Sequence, residues 1–326
     1  MTTKTVVGTL LLFFIFTSCN QPFDPRAPLE QQMAIFSILS TDRNVQYVRV
    51  DASYMPASFD PTTHTSDNAV ADAFVTIKGP GRIYQMRDTV LSRADTSRYK
   101  FPMHLYTLNP FTPQHGATYQ VIVQSLSLGT ASATLVVPSK ADISMTTYTT
   151  YLVLSNPLMR DPDDQAVFST QLSASAKAYI ARLYIYYDVL KGSQWVEERV
   201  EIPVGTADET PYSLNYPIYP KLTLCPKTAL VSVTYWNGFL RNIVKRLTTV
   251  TYENNKIIYK WIVLVVLQVD ENLFTYYNTV HEYQDPRSIR LDQPLYTTLK
   301  GGIGFVGAYA LDSLVYVLPE NFAGNR

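Results

Sequence analysis

Residues 261–269 read Trp-Ile-Val-Leu-Val-Val-Leu-Gln-Val and form the most apolar internal stretch of this 326-residue chain. The run is far shorter than the roughly 20 residues a membrane-spanning helix needs. It is rich in β-branched Val and Ile, which suit a pleated, packed surface. A buried strand over 257–269 is therefore predicted, and with it a chain built from sheets.

The flanking sequence repeats that signature. Tyrosine is frequent, at 24 residues, and falls with Val, Thr and Ile in short alternating runs bounded by Pro, Gly, Asp and Asn. Strands are predicted at 33–39, 46–52, 73–78, 82–87, 118–124 and 130–136, spaced as in a β-sandwich that ends near Pro138. Lys78-Gly79-Pro80-Gly81-Arg82 makes a tight turn, and residues 88–113 cross between sheets with Tyr99 and Phe101 tucked beneath. After Ser139-Lys140-Ala141, further strands are predicted at 146–154, 167–174, 180–189, 195–202, 230–236 and 257–269. Tyr184, Tyr186 and Tyr187 leave little of one face polar, so this second sheet is expected to be covered on both sides. One short helix is predicted near 271–284, capped by Asp270, with Leu273, Tyr277 and Val280 at helical spacing and Pro286 closing it. Two strands, 304–309 and 313–318, follow.

The N-terminus carries Lys4, an apolar run over 6–16, and then Thr17, Ser18 and Cys19. That pattern is a signal peptide, too short to span a bilayer. The cysteine after two small residues resembles a lipobox, which implies acylation of Cys19 and cleavage just before it. The plainer alternative is an ordinary secretory peptide with a chance cysteine. Two or three acyl chains anchor a protein stably where one does not. Residues 20–28, with three prolines, read as a tether. The expected organisation is a signal peptide over 1–18, a lipidated tether over 19–32, a β-sandwich over 33–138 and a second β-rich domain over 139–326.

Composition excludes several classes. Lys plus Arg equals Asp plus Glu, 27 each, so neither nucleic acid nor an anionic surface is indicated as a partner. Of two cysteines, acylation consumes one and leaves Cys225, so no disulfide framework or Cys-based zinc site can form. The four histidines, His64, His104, His115 and His281, lack ligand spacing, and no serine sits in a Gly-x-Ser-x-Gly elbow.

Residues 34–39 (Ala-Ile-Phe-Ser-Ile-Leu), 47–51 before Tyr54, His115-Gly116-Ala117-Thr118-Tyr119, Phe274-Thr275-Tyr276-Tyr277 and the glycine-rich 301–309 together carry a resemblance. The chain resembles the domain-of-unknown-function 4249 family of outer-membrane lipoproteins, found in Gram-negative bacteria rich in TonB-dependent receptors. The resemblance implies an all-β protein with an immunoglobulin-like N-terminal sandwich, attached to the outer membrane and serving a neighbouring receptor. It implies no catalytic residues.

Other constellations are weighed against plainer readings. Gly302, Gly304 and Gly307 have dinucleotide-loop spacing, yet only 19 residues follow Gly307, too few for a helix, a second strand and a ribose-binding acid. A glycine-bent strand passing beneath an aromatic neighbour is expected instead. Asp161, Asp163 and Asp164 share a loop, as do Asp60, His64 and Asp67. Neither completes a calcium or zinc set, so both read as polar turns. Tyr212, Tyr216 and Tyr219, in the long proline-punctuated loop 203–226, are the candidate ligand contacts; the alternative is that they staple the loop to its own sheet. No cofactor, metal or catalytic site is expected. The functional expectation is a non-catalytic binding or accessory subunit, held by membrane lipid through Cys19 beside a TonB-dependent receptor. The rivals are a self-associating adhesin and an exported hydrolase.

Overall fold

Ile257–Val269 is a strand whose Ile262, Leu264 and Val266 are buried, and it lies within a sheet that joins both halves of the chain. The computed structural model describes residues 29–55, 64–97, 99–250, 257–282 and 296–323. Backbone contacts separate residues 1–31 from 32–326, and every element below belongs to the second unit.

The first half contains β1 (Met33–Ser40), β2 (Gln46–Ala52), β3 (Phe74–Gly79), β4 (Arg82–Gln85), β5 (Arg87–Leu91), β6 (Met103–Leu108), β7 (Thr118–Ser125) and β8 (Gly129–Val136). The second half continues with β9 (Asp142–Met145), α1 (Thr147–Leu154), β10 (Gln165–Gln171), β11 (Ala178–Lys191) and β12 (Gln194–Ile202). Three two-residue strands follow, β13 (Gly205–Thr206), β14 (Pro217–Ile218) and β15 (Thr223–Leu224). The chain then forms β16 (Leu230–Trp236), α2 (Asn237–Val250), β17 (Ile257–Val269), α3 (Glu271–Glu282) and β18 (Ile303–Val317). The protein is mainly β, as its composition predicts.

The shared sheet runs β12-β11-β17-β18-β1-β2-β6-β5. Its pairs are antiparallel except β1 with β18, which are parallel, with Ile35 opposite Gly304 and Leu39 opposite Ala308. A second sheet, β4-β3-β7-β8, faces the first half and closes a sandwich around Ile35, Val50, Ile77, Val121 and Val306. A third, β16-β10-β9, together with α1 and α2, covers β11 and β17 around Phe168, Leu183, Ile185, Tyr235 and Ile243. The two cores divide between Val137 and Ala141, except that Leu299, Val306 and Ala308 from the C-terminal region join the first.

Strand β18 is one element where two were predicted. Residues 303–309 pair with β1 and 309–317 with β17. The polar Asp312 does not interrupt it because its side chain is buried in a hydrogen-bonded node. Asp312 Oδ2 accepts from Ala141 N at 2.9 Å and from Gln268 Nε2 at 3.4 Å. Gln268, fully buried, donates to Ser139 O at 3.0 Å and accepts from Ser173 N at 2.6 Å, and Ser139 N donates to Ser173 Oγ. Buried polar groups need such partners. This node pins the joint at residues 139–141 onto the sheet.

Several expectations are corrected. Residues 146–154, read as a strand, instead supply α1 and its cap. Thr146 caps the helix by accepting from Thr149 N at 3.1 Å, and Leu152 and Val153 are buried, so packing and a cap override the local preference of Thr and Tyr. Residues 237–250, which no element was predicted to occupy, form α2, with Phe239, Leu240, Ile243, Val244 and Leu247 buried at helical spacing. The stretch 88–113, read as a crossing, contains most of β5 and all of β6. The switch between sheets falls at buried Met86, whose N–H bonds Val75 O. The second half of the shared sheet is not covered on both sides: Val315 is 54% and Val317 75% exposed. Its outer face alternates aromatic and charged residues, with Arg199 4.8 Å over Tyr184 and Lys260 4.3 Å over Trp261, and such a face tolerates water.

Helix α3 begins where predicted, while residues 283–286, including Pro286, lie outside the described residues. Asp270 Oδ1 accepts from Leu273 N at 2.8 Å. Tyr276 stacks on Phe305 at 4.5 Å, holding the helix against β18. The glycines beneath serve strand packing. Gly304 has φ +110°, and a Cβ there would meet Ile35 O at 2.3 Å; one at Gly307 would strike the Phe305 ring.

Two outcomes are expected. Gln268→Leu strands Ser139 O and Ser173 N and should lower stability by about 2–4 kcal/mol in urea unfolding; a loss below about 0.5 kcal/mol would show that the node is dispensable. Burial pushes the Asp270 carboxyl up to about 6 from an ordinary 3.8. The folded state therefore binds the proton more tightly, so ionisation costs stability above pH 6 and the cost vanishes below about 3.8. Asp270→Asn keeps the cap without the charge. It should be more stable than the parent by about 1–3 kcal/mol at pH 7 and equal to it at about pH 3, below the ordinary carboxyl value, read from thermal melts across that range.

Candidate functional site

The predicted contact tyrosines take different roles. Tyr212, at φ 55°, packs its ring against Phe239 at 5.5 Å and Trp236 at 6.2 Å, and its hydroxyl donates to Asp163. Burial, and then the carboxylate on its hydroxyl, push this phenol up to about 12. Gly238 makes the approach feasible, because a Cβ there would fall 2.1 Å from the ring. Asn242 Nδ2 holds Tyr212 O at 2.6 Å. Tyr212 is thus a staple between the loop and α2. Tyr216 and Tyr219 stand apart from it on the surface, 77% and 40% exposed, where β13 and β14 pair.

The Asp161–Asp164 turn is part of the same staple. Asp161 Oδ1 accepts from Asp163 N, and the carbonyls of Pro162 and Asp164 accept from Gly238 N and Asn237 N at the start of α2. It satisfies helix donors that would otherwise lack partners. In the second polar loop, Asp60 lies outside the described residues. His64 stacks on Tyr54 at 3.7 Å and hydrogen-bonds Asn68, while Asp67 accepts from Ala69 N. Among the described residues no three His, Cys, Asp or Glu side chains group as metal ligands would. Cys19 and residues 1–28 lie outside the described residues. No described helix is long and apolar enough to cross a membrane.

The structure gathers a different set of residues that sequence reasoning missed. The outer face of β1 and β2 floors a cleft of about 410 Å³, with Phe36, Arg49 and Asp51 at its base. Tyr54, Arg93, Tyr99 and Phe101 line it as well. Strand alternation makes the floor: Ile35, Val48 and Val50 point into the core, so Phe36, Arg49 and Asp51 point outward. Arg49 Nε bonds Asp51 Oδ2 at 2.7 Å. Arg93 Nε bonds Phe101 O at 3.0 Å, and its guanidinium lies 5.0 Å over Tyr99 and 5.4 Å over Phe101. Burial raises the Asp51 pKa; Arg49 opposes that rise most, Asp67 adds to it and Arg93 also opposes it. The legible signal was Arg49 and Asp51 two apart on a strand. Tyr99 and Phe101 were read as lying under a connection. They are half-buried in the cleft wall.

No family model matches the chain, and no curated protein matches it either. Among solved structures, a secreted serine protease from Vibrio cholerae is 8% identical over 63% of this chain and 46% of its own, with a TM-score of 0.20. The C-terminal globular domain of an oligosaccharyltransferase from Pyrococcus abyssi is 7% identical over 89% of this chain and 47% of its own, at 0.17. This chain spans about half the length of either. At such scores neither likeness bears on activity.

The staple generates an expectation. Gly238→Ala should displace the Tyr212 ring and cost about 1–3 kcal/mol, whereas Tyr216→Ala and Tyr219→Ala should each stay within about 0.5 kcal/mol of the parent in thermal unfolding. A Gly238→Ala protein as stable as its parent would show that the loop does not depend on that contact.

Proposed function

We propose that this chain is an exported lipoprotein, anchored in the outer membrane through acylated Cys19, that works as a non-catalytic binding or accessory subunit beside a TonB-dependent receptor. The observation that carries the binding part is the cleft over β1 and β2, which combines aromatic walls with paired Arg49 and Asp51 on a rigid strand floor. Sites on strands hold their groups in fixed geometry. The anchor part rests on Lys4, the apolar run over 6–16 and Cys19. The receptor part rests on the resemblance to the 4249 family alone.

The edges of the shared sheet weigh against the adhesin rival. An adhesin that grows by strand addition needs an open sheet edge. Here the edge strand β12 carries Glu197, Glu198, Arg199 and Glu201, charges of the kind that deter edge pairing, and the opposite edge, β5, is only five residues long.

The test is a pull-down of the tagged native protein from its own membranes in mild detergent, with stoichiometric companions identified by mass spectrometry, beside membrane fractionation of Cys19→Ser. A co-purifying β-barrel receptor and release of Cys19→Ser into the soluble fraction are expected. A Cys19→Ser protein that stays on the membrane would overturn the anchor, and recovery of self-oligomers alone would favour the adhesin.

A further inference from the structure

We infer that the cleft over β1 and β2 binds a neutral saccharide unit, with a pyranose face on the aromatic wall and its hydroxyls bridging Asp51 to Arg49 and Arg93; the inference rests on the binding reading above. The cleft's volume, about 410 Å³, lies within the usual range of small-ligand sites, about 300–1,000 Å³. Its chemistry narrows the occupant.

The charges that line the cleft sum to zero, with Arg49 and Arg93 set against Asp51 and Asp67. They are also interleaved. Both guanidiniums act on Asp51, and Asp67 acts on it with the opposite sign. An anion would meet two carboxylates and a cation two guanidiniums. A zwitterionic peptide end needs one bare positive and one bare negative pole, whereas Asp51 is already paired with Arg49. A wholly apolar ligand would bury the Arg49–Asp51 pair away from water with nothing to replace it. A hydroxyl group differs from all of these, since each is both donor and acceptor and can accept from the guanidinium N–H groups left over beside the Arg49–Asp51 bond while donating to the remaining carboxylate oxygen.

The guanidiniums are held in a way that suits this use. The hydrogen bonds that fix them both employ Nε, Arg49 to Asp51 Oδ2 and Arg93 to Phe101 O, which aligns the rest of each planar fork. Adjacent hydroxyls of a sugar present the complementary spacing. The aromatic element is supplied by Phe36, 40% exposed on the floor, and by Tyr99 and Phe101. A pyranose has one face of C–H groups that packs on such rings, while its rim of hydroxyls reaches the polar pair.

The experiment uses the full acylated protein in a detergent without a sugar headgroup, because a glycosidic detergent would compete. Tetrasaccharides of β-1,4-glucose, α-1,4-glucose, β-1,4-xylose and β-1,4-N-acetylglucosamine are titrated calorimetrically, with trialanine as the zwitterionic control. At least one tetrasaccharide should bind with a Kd below about 1 mM, and Tyr99→Ala and Asp51→Asn should each weaken it about tenfold or more. Tyr99 lies outside the strands, so its variant keeps the test valid should Asp51→Asn unfold. Failure of all four sugars overturns the saccharide assignment. If trialanine then binds and Tyr99→Ala abolishes it, the cleft is still a recognition site and only the ligand class falls. If nothing binds, the binding reading of the cleft falls too. Release of reducing ends that Asp51→Asn abolishes would overturn both in favour of a hydrolase.

Discussion

The fully buried amide of Gln268 is the constraint on which the arrangement of the two halves depends. It sits on β17 and reaches the carbonyl of Ser139, the N–H of Ser173 and the carboxylate of Asp312 on β18. A primary amide suits this position because it offers a donor and an acceptor on one planar group. Each partner belongs to a different element: the joint between the halves, the turn after β10, and the strand that both halves share. A hydrophobic core is tolerant of small slips, but a buried hydrogen-bonded node is not, since a displaced donor or acceptor loses its partner in a low-dielectric setting. The register of β17 against β18 and the path of the joint are thereby fixed together.

Strand β18 converts that local constraint into architecture. Its first part adds to β1 in parallel and its second part adds to β17 antiparallel, so one unbroken element stitches an N-terminal sandwich to a second layered half. Residues far apart in the chain, Val306 among them, complete the first core. Covering layers lie over one face of the shared sheet, and among the described residues the opposite face remains open except where α3 stacks Tyr276 on Phe305. The cleft over β1 and β2 occupies that opposite face. Its charged groups are held on strands whose other side is core, which limits their freedom and fits them for recognition.

Much of the strand content could be read directly. The bounds of β2, β16 and β17 coincide with the alternating or apolar runs at 46–52, 230–236 and 257–269. Helix α3 was legible from Asp270 and the spacing of Leu273 and Tyr277. Helix α1 was not, because Thr147, Tyr148 and Thr149 prefer strands and only the Thr146 cap and the buried face against β10 make the helix. Helix α2 carried a readable pattern in Phe239, Leu240, Ile243, Val244 and Leu247, overlooked beside the strand signal of its neighbours. The candidate tyrosines illustrate the limit for sites. Tyr212, Tyr216 and Tyr219 are close in sequence, yet the first packs against α2 and the other two face solvent.

By itself the sequence determined the periodicities, since alternation with period two follows from the covalent geometry of a strand and needs no partner. It determined the neutral charge and the absence of a cysteine framework, and the short apolar run before Cys19 is likewise a property of the chain alone. Only the tertiary structure decided that 303–317 is one strand, that the two halves share a sheet, and that Arg49, Arg93, Tyr99 and Phe36 meet at one cleft. These are long-range pairings. They depend on which faces are buried against which, a choice made by packing and buried hydrogen bonds across the whole unit and not by neighbours in the chain.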